Sequence, residues 1–162
     1  MNEKNDAVKK ILETAIMQEN KSKKFYLKVQ EQIRNEDAKQ RLKHMANAEE
    51  EHEEILKSWY EDTYGETFDP EKSTSAQHPL DTQKYEANTS LIDVVQLIAS
   101  AENKAYNFYK NAAREARTPE EKRLFEKLAS LEQMHADQSL TELDMLSSEE
   151  IHFSDEDVPW KI

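Results

Sequence analysis

The sequence predicts an all-α protein, a four-helix bundle made of two repeated helical hairpins joined by a long crossover. Three observations predict it. A chain of 162 residues with one Gly and four Pro holds too few breakers for a β-rich fold. Apolar residues recur at alternating three- and four-residue steps along four long stretches, which is the helical period. Finally, a shift of 83 positions carries Glu19, Glu49 and His52 onto Glu102, Glu132 and His135. Neighbours move with them: Glu19-Asn20-Lys21 and Phe25-Tyr26 recur as Glu102-Asn103-Lys104 and Phe108-Tyr109, with Arg34/Arg117, Lys39/Lys122 and Ala46/Ala129 beyond. The repeating unit is one hairpin.

The first helix is predicted from about Asn5 to Arg34, with Val8, Leu12, Ala15, Glu19, Ser22, Tyr26, Val29 and Ile33 forming a seam. Asn35 can cap the next helix, whose seam runs through Ala38, Leu42, Met45, Glu49, His52, Leu56 and Trp59 and ends near Tyr64-Gly65, where Gly terminates a helix readily. A third helix begins around Ser90 and carries Leu91, Val95, Ile98, Glu102, Ala105, Tyr109, Ala112 and Ala116 on one face. Thr118-Pro119-Glu120-Glu121 opens the fourth with a capping residue, Pro at the first helical position and Glu at the third. Its apolar side is expected from Leu124, Phe125, Leu128, Leu131, Leu140 and Leu143.

The connection from about Gly65 to Thr89 exceeds the short loops of antiparallel neighbours. At roughly 3.3 Å per extended residue it can run the length of a helix of about 45 Å, so that the second hairpin enters from the opposite end. The same slack permits a swapped homodimer. Residues 1–146 form the bundle, with the crossover at about 65–89, and residues 147–162 an acidic tail in which Ile151, Phe153, Val158 and Trp160 are candidate anchors.

Composition narrows the function. Charged residues make up 35% of the chain and hydrophobic ones 36%, with a formal charge of −12. Lys and Arg are interspersed with Glu, so no basic face for nucleic acid is formed. No apolar run approaches a membrane span and no export signal opens the chain, which makes the cytoplasm the expected compartment. Without Cys there is no thiol chemistry and no Cys-ligated iron or zinc centre, so redox work needs an external electron donor.

One Glu-x-x-His means little, because five His in a chain this rich in Glu produce roughly 0.7 such matches by chance. The repeat gives the pattern its weight. All six repeated residues fall on seam positions, and four ionised carboxylates in an apolar seam cost several kcal/mol each unless compensated. Two divalent cations would neutralise them, with one imidazole for each ion. Glu19 and Glu49 lie roughly 24 and 21 Å from the Asn35 turn, nearly level, and Glu102 and Glu132 stand alike about Thr118. The alternative is a metal-free bundle with protonated or ion-paired Glu. His44, His78 and His152 lack the repeat relationship and are expected on the surface, and the run Glu50, Glu51, Glu53 and Glu54 is expected to be a solvated face.

Over both hairpins the sequence resembles the ferritin-like superfamily, in its rubrerythrin and bacterioferritin branch: a lone Glu on the first and third helices, Glu-x-x-His on the second and fourth. The resemblance implies a pair of iron ions, or manganese, bridged by Glu49 and Glu132, with Glu19 and Glu102 as terminal carboxylates and His52 and His135 as terminal nitrogens. Tyr26 and Tyr109 resemble the family's tyrosines that hydrogen-bond a ligand carboxylate, against plain core packing. Rubrerythrins in the strict sense carry a further Glu one turn after the third-helix ligand, where this chain has Ala105, and a Cys-rich iron module, which it lacks. The implied activity is reaction with hydrogen peroxide or dioxygen, as a peroxidase or ferroxidase in iron handling or oxidative-stress defence. The alternatives are a di-iron hydroxylase with room at Ala15, Ala105 and Ala112, and non-enzymatic iron binding or storage. A homodimer is the expected assembly.

Overall fold

A computed structural model of the chain describes residues 3–72 and 85–156, with side-chain surroundings for 7–72 and 85–148. Its elements are α1 (Glu3–Gln32), α2 (Glu36–Tyr64), a 3-10 turn (Pro70–Lys72), α3 (Leu91–Glu115) and α4 (Pro119–Glu156). No strand occurs among the described residues. The helix starts follow from local chemistry. Asn35 accepts from the backbone N–H of Ala38 at 2.9 Å. Ser90 and Asp93 form a reciprocal capping box, and Thr118 and Glu121 form another, with Glu121 also accepting from the Arg117 N–H at 2.7 Å. At the end of α2, Gly65 takes φ 69° and its N–H closes on the Glu61 carbonyl at 2.8 Å, a left-handed cap that suits Gly.

Two apolar clusters fix the helix directions. One joins Val8, Leu12 and Ile16 of α1 with Leu56 and Tyr60 of α2, Tyr109 and Ala112 of α3, and Leu124, Phe125 and Leu128 of α4. The other joins Tyr26, Val29 and Ile33 with Ala38, Leu42 and Met45, and with Val94, Leu97 and Ile98. The start of α1 therefore shares an end of the bundle with the end of α2, the end of α3 and the start of α4. The hairpins are inserted from opposite ends, so the connection leaves α2 at one end of the bundle and meets α3 at the other. Lys9 pairs with Glu66 and Lys24 with Glu71, which lays the start of this crossover along α1. Where it finishes, the Arg34 N–H donates to the Ala87 carbonyl at 3.1 Å and Tyr85 packs edge-on against Phe25. The crossover is as expected, although residues 73–84 lie outside the described ones. Burying each large side chain of these clusters contributes about 1.5–3 kcal/mol before the entropy of ordering the chain is subtracted.

Most seam assignments fall on the buried faces, although Trp59 is half-buried and Tyr60 holds the inward place beside it; two further expectations are corrected. Leu140 is 57% exposed, because Ser139 holds the inward position there and receives a hydrogen bond from Arg41 Nη2 at 3.1 Å. Leu140 is turned some 100° off that face, one helical residue on. Glu53 is buried rather than solvated, while Glu50, Glu51 and Glu54 are exposed as expected. His44 is exposed. His78, and the side chains of His152, Ile151, Phe153, Val158 and Trp160, lie outside the described residues. The helix α4 continues to Glu156, through much of the segment read as a tail. No helix among the described residues is long and apolar enough to cross a membrane.

Candidate metal centre

Midway along the bundle, between the two apolar clusters, all six repeated residues point inward. Their exposures are 3% for Glu19, Glu49 and His52, 1% for Glu102, 0% for Glu132 and 7% for His135. Donor atoms of Glu19, Glu49, His52 and Glu132 lie within 4.8 Å of one another, and so do those of Glu102, Glu132 and His135. Glu132 belongs to both groups. The two imidazoles face each other with ring centroids 5.9 Å apart and planes 21° from parallel. All six candidate ligands converge within one chain, two each from α2 and α4 and one each from α1 and α3.

The tyrosines cross between the hairpins. Tyr26 of α1 donates to Glu102 Oε1 of α3 at 2.8 Å, and Tyr109 of α3 donates to Glu19 Oε1 of α1. Antiparallel α1 and α3 bring each phenol level with the other hairpin's carboxylate, which the spacing within one hairpin cannot reveal. Both phenols are buried.

Four buried atoms have no hydrogen-bond partner among the described residues at this point: Glu19 Oε2, His52 Nδ1, and both oxygens of Glu132. His52 Nδ1 lies 3.0 Å from Glu132 Oε1 and 3.5 Å from Glu19 Oε2, close but without hydrogen-bond geometry. Orphaned polar atoms are rare in protein interiors because each one forfeits its hydration. Carboxylate oxygens and an imidazole nitrogen converging in this way fit a divalent cation of the iron, manganese or zinc type.

A family model described as Rubrerythrin matches residues 10–143. The chain belongs to the rubrerythrin family. Among solved structures, it is similar to "Hypothetical Protein Pfu-1136390-001 From Pyrococcus furiosus", with 26% identity, a TM-score of 0.67, and coverage of 87% of this chain and 90% of that one. No curated protein matches it. The match spans both hairpins of this rubrerythrin-family chain, including all six candidate ligands.

The electrostatics of the pocket are those of crowded buried acids. Burial, then the carboxylates of Glu19 and Glu102, push the Glu49 carboxyl well above its usual range. Burial and Glu19 do the same to Glu132, against the pull of His52. Burial resists charge on His52, yet the carboxylates of Glu132 and Glu19 beside it raise its pKa to about 10. Tyr26 and Tyr109 are held well above the ordinary phenol value by burial, and then by Glu102 and Glu19 respectively, so they remain donors. Without a cation, such a pocket is neutralised by protons.

Sequence reading missed one feature beside the site. Glu53, next to His52, accepts from Lys23 Nζ at 2.9 Å and from Asn20 Nδ2 at 3.4 Å, and pairs with Lys57. The signal was present, since Asn20 and Lys23 both follow Glu19 within about one turn and Lys57 lies one turn after Glu53. A run of four Glu masked it. Under the 83-residue shift, Lys23, Glu53 and Lys57 correspond to Tyr106, Ala136 and Leu140. There α3 and α4 leave a groove of about 470 Å³ lined by Ala99, Asn103, Tyr106, Ala136, Leu140 and Leu143.

Proposed function

We propose that this chain is a di-iron carboxylate protein that reacts with hydrogen peroxide or dioxygen, as a peroxidase or ferroxidase serving iron handling or oxidative-stress defence. The observation that carries this reading is the convergence of unsatisfied lone pairs from Glu19, His52 and Glu132 inside a six-residue acid and imidazole cluster. Glu19, Glu49 and His52 would hold one ion and Glu102 and His135 the other, with Glu132 shared. When bound, two ferrous ions supply the two electrons that reduction of a peroxide bond requires. Residues of the chain set the conditions for this. Leu12, Ile16 and Phe125 on one side and Leu42, Met45 and Ile98 on the other close the bundle above and below the site and keep bulk water out. Tyr26 and Tyr109 fix one oxygen each of Glu102 and Glu19, which orients the other oxygen. The chain offers no thiol for electron delivery, so reducing equivalents come from an external donor.

Ala15 and Ala112 are buried in the apolar core and Ala105 is half-buried, and the burial of the first two supports small oxidants over hydroxylation of an organic substrate. Protein loaded anaerobically with Fe(II) should be oxidised by hydrogen peroxide in a fast single turnover. A Glu49→Ala/Glu132→Ala variant should lose this burst, and equal rates for the two proteins would refute the reading. Zinc in the protein as purified, with no oxidation burst after iron loading, would count for a structural metal.

A further inference from the structure

The two halves of the metal cluster are related by the internal repeat, yet they are not equally prepared for a cation. On the Glu19 side the donors are poised. Tyr109 holds one oxygen of Glu19 and leaves the other, Oε2, without a partner, and it faces the partnerless His52 Nδ1 and Glu132 Oε1. Glu49 adds a fourth residue to this group. On the Glu102 side the donors satisfy each other. Tyr26 occupies Glu102 Oε1, while Glu102 Oε2 and His135 Nδ1 share a hydrogen bond at 3.3 Å. Only three residues, Glu102, Glu132 and His135, make up that group.

The surroundings differ in the same sense. Outside His52 the buried Glu53 is clamped by Asn20, Lys23 and Lys57. At the matching places outside His135 stand Ala136, Tyr106 and Leu140, bordering the open groove between α3 and α4. One half is covered by a clamped, buried acid, whereas the other is self-satisfied and lies beside a groove.

We propose that the two metal positions are unequal. The position formed by Glu19, Glu49, His52 and Glu132 fills first and retains its ion. The position formed by Glu102, Glu132 and His135 fills second, only as the Glu102–His135 hydrogen bond breaks, and is the one that exchanges. The physical reason is preorganisation. An ion entering the first position relieves unpaired buried dipoles and breaks no hydrogen bond between its donors, displacing only protons, whereas the second ion must also replace an existing charge-assisted bond with one fewer residue to hold it. At limiting metal the chain then exists as a one-ion form, which is primed for the second ion but lacks the paired centre. This inference rests on the two-metal reading above.

The test is a stepwise anaerobic titration of the metal-stripped full chain with Co(II), counting bound ions by equilibrium dialysis and following the visible bands. The wild type should bind two ions with affinities at least ten-fold apart. Repulsion between neighbouring ions would itself separate two steps, so the isosteric variants assign them. Glu102→Gln should keep one ion at wild-type strength and lose the weak step, and Glu19→Gln should weaken the tight step ten-fold or more. An independent reading needs no variant to fold. One equivalent of Zn(II) should shift the ring resonances of His52 and leave those of His135 in place until the second equivalent. Retention of a tight ion in Glu19→Gln with its loss in Glu102→Gln, or the first equivalent of Zn(II) shifting His135, overturns the inference while leaving the two-metal function standing. Binding of no ion by the wild type would overturn both.

Discussion

Without bound metal the usual relation between pH and stability should be inverted for this bundle, and replacing two of its buried acids should then make it stronger. Glu49 and Glu132 are buried among other acids, and both are pushed well above the ordinary carboxyl range. In the metal-free native state they hold protons that the unfolded chain releases above about pH 4.5. The folded state therefore binds more protons, and stability is complete below that pH and is lost as pH rises toward the folded-state values. Each proton held only by the folded state lowers stability by at most about 1.4 kcal/mol per pH unit, so the loss between pH 5 and 7 is a sizeable part of the stability of an ordinary domain. His52, raised to about 10, adds to the loss with the same sign above its usual 6.5. Guanidinium unfolding of the apo-protein at pH 5, 6 and 7 measures this directly. Glu49→Gln/Glu132→Gln keeps the shape of both side chains and removes their titration. The variant should be more stable than wild-type apo-protein at pH 7 and nearly flat with pH, which also separates the effect from the repulsion of a chain carrying −12. Equal slopes for the two proteins, or an apo-protein that gains stability from pH 5 to 7, would refute the assignment of protons to these buried acids.

Three further outcomes follow from particular contacts. Tyr26→Phe and Tyr109→Phe each leave a buried carboxylate oxygen without its donor and should cost about 1.5–3 kcal/mol, seen as a drop of about 2–4 °C in Tm per kcal/mol in the metal-loaded protein. Glu53→Ala should destabilise by about 1–2 kcal/mol in denaturant unfolding, since its partners Lys23 and Lys57 keep some water, whereas Glu50→Ala, exposed and 3.7 Å from Lys23, should fall within about 0.5 kcal/mol of wild type. Gly65→Ala should cost about 1 kcal/mol by the same measurement, from the positive φ alone, because an added Cβ meets nothing within 4 Å.

Much of this molecule was legible as a string of residues. Helical periodicity, the Asn35, Ser90 and Thr118 caps and the Gly65 stop depend on neighbours within a turn or two, so local chemistry determined the four helices and their boundaries to within a few residues, except the end of α4, which runs ten residues further, to Glu156. The repeat singled out six candidate ligands because a duplicated hairpin keeps its key positions at one constant offset, and the mid-helix level of those positions brought them together once two hairpins packed. The family membership was already visible in that pattern.

Only the tertiary structure decided what happens between segments distant in the chain. The crossing of Tyr26 to Glu102 and of Tyr109 to Glu19 arises from α1 and α3 running antiparallel, an outcome of the crossover that no spacing within a hairpin encodes. Glu53 passed for one more solvated acid until Lys23 and Lys57 were seen to enclose it, since burial belongs to the packed helices and not to the residue. The imbalance between the two halves of the cluster is the clearest case. The repeat alone makes Glu19 and Glu102, or His52 and His135, interchangeable, and it is the position of each donor relative to its partners in space that leaves one set of lone pairs unsatisfied and the other paired.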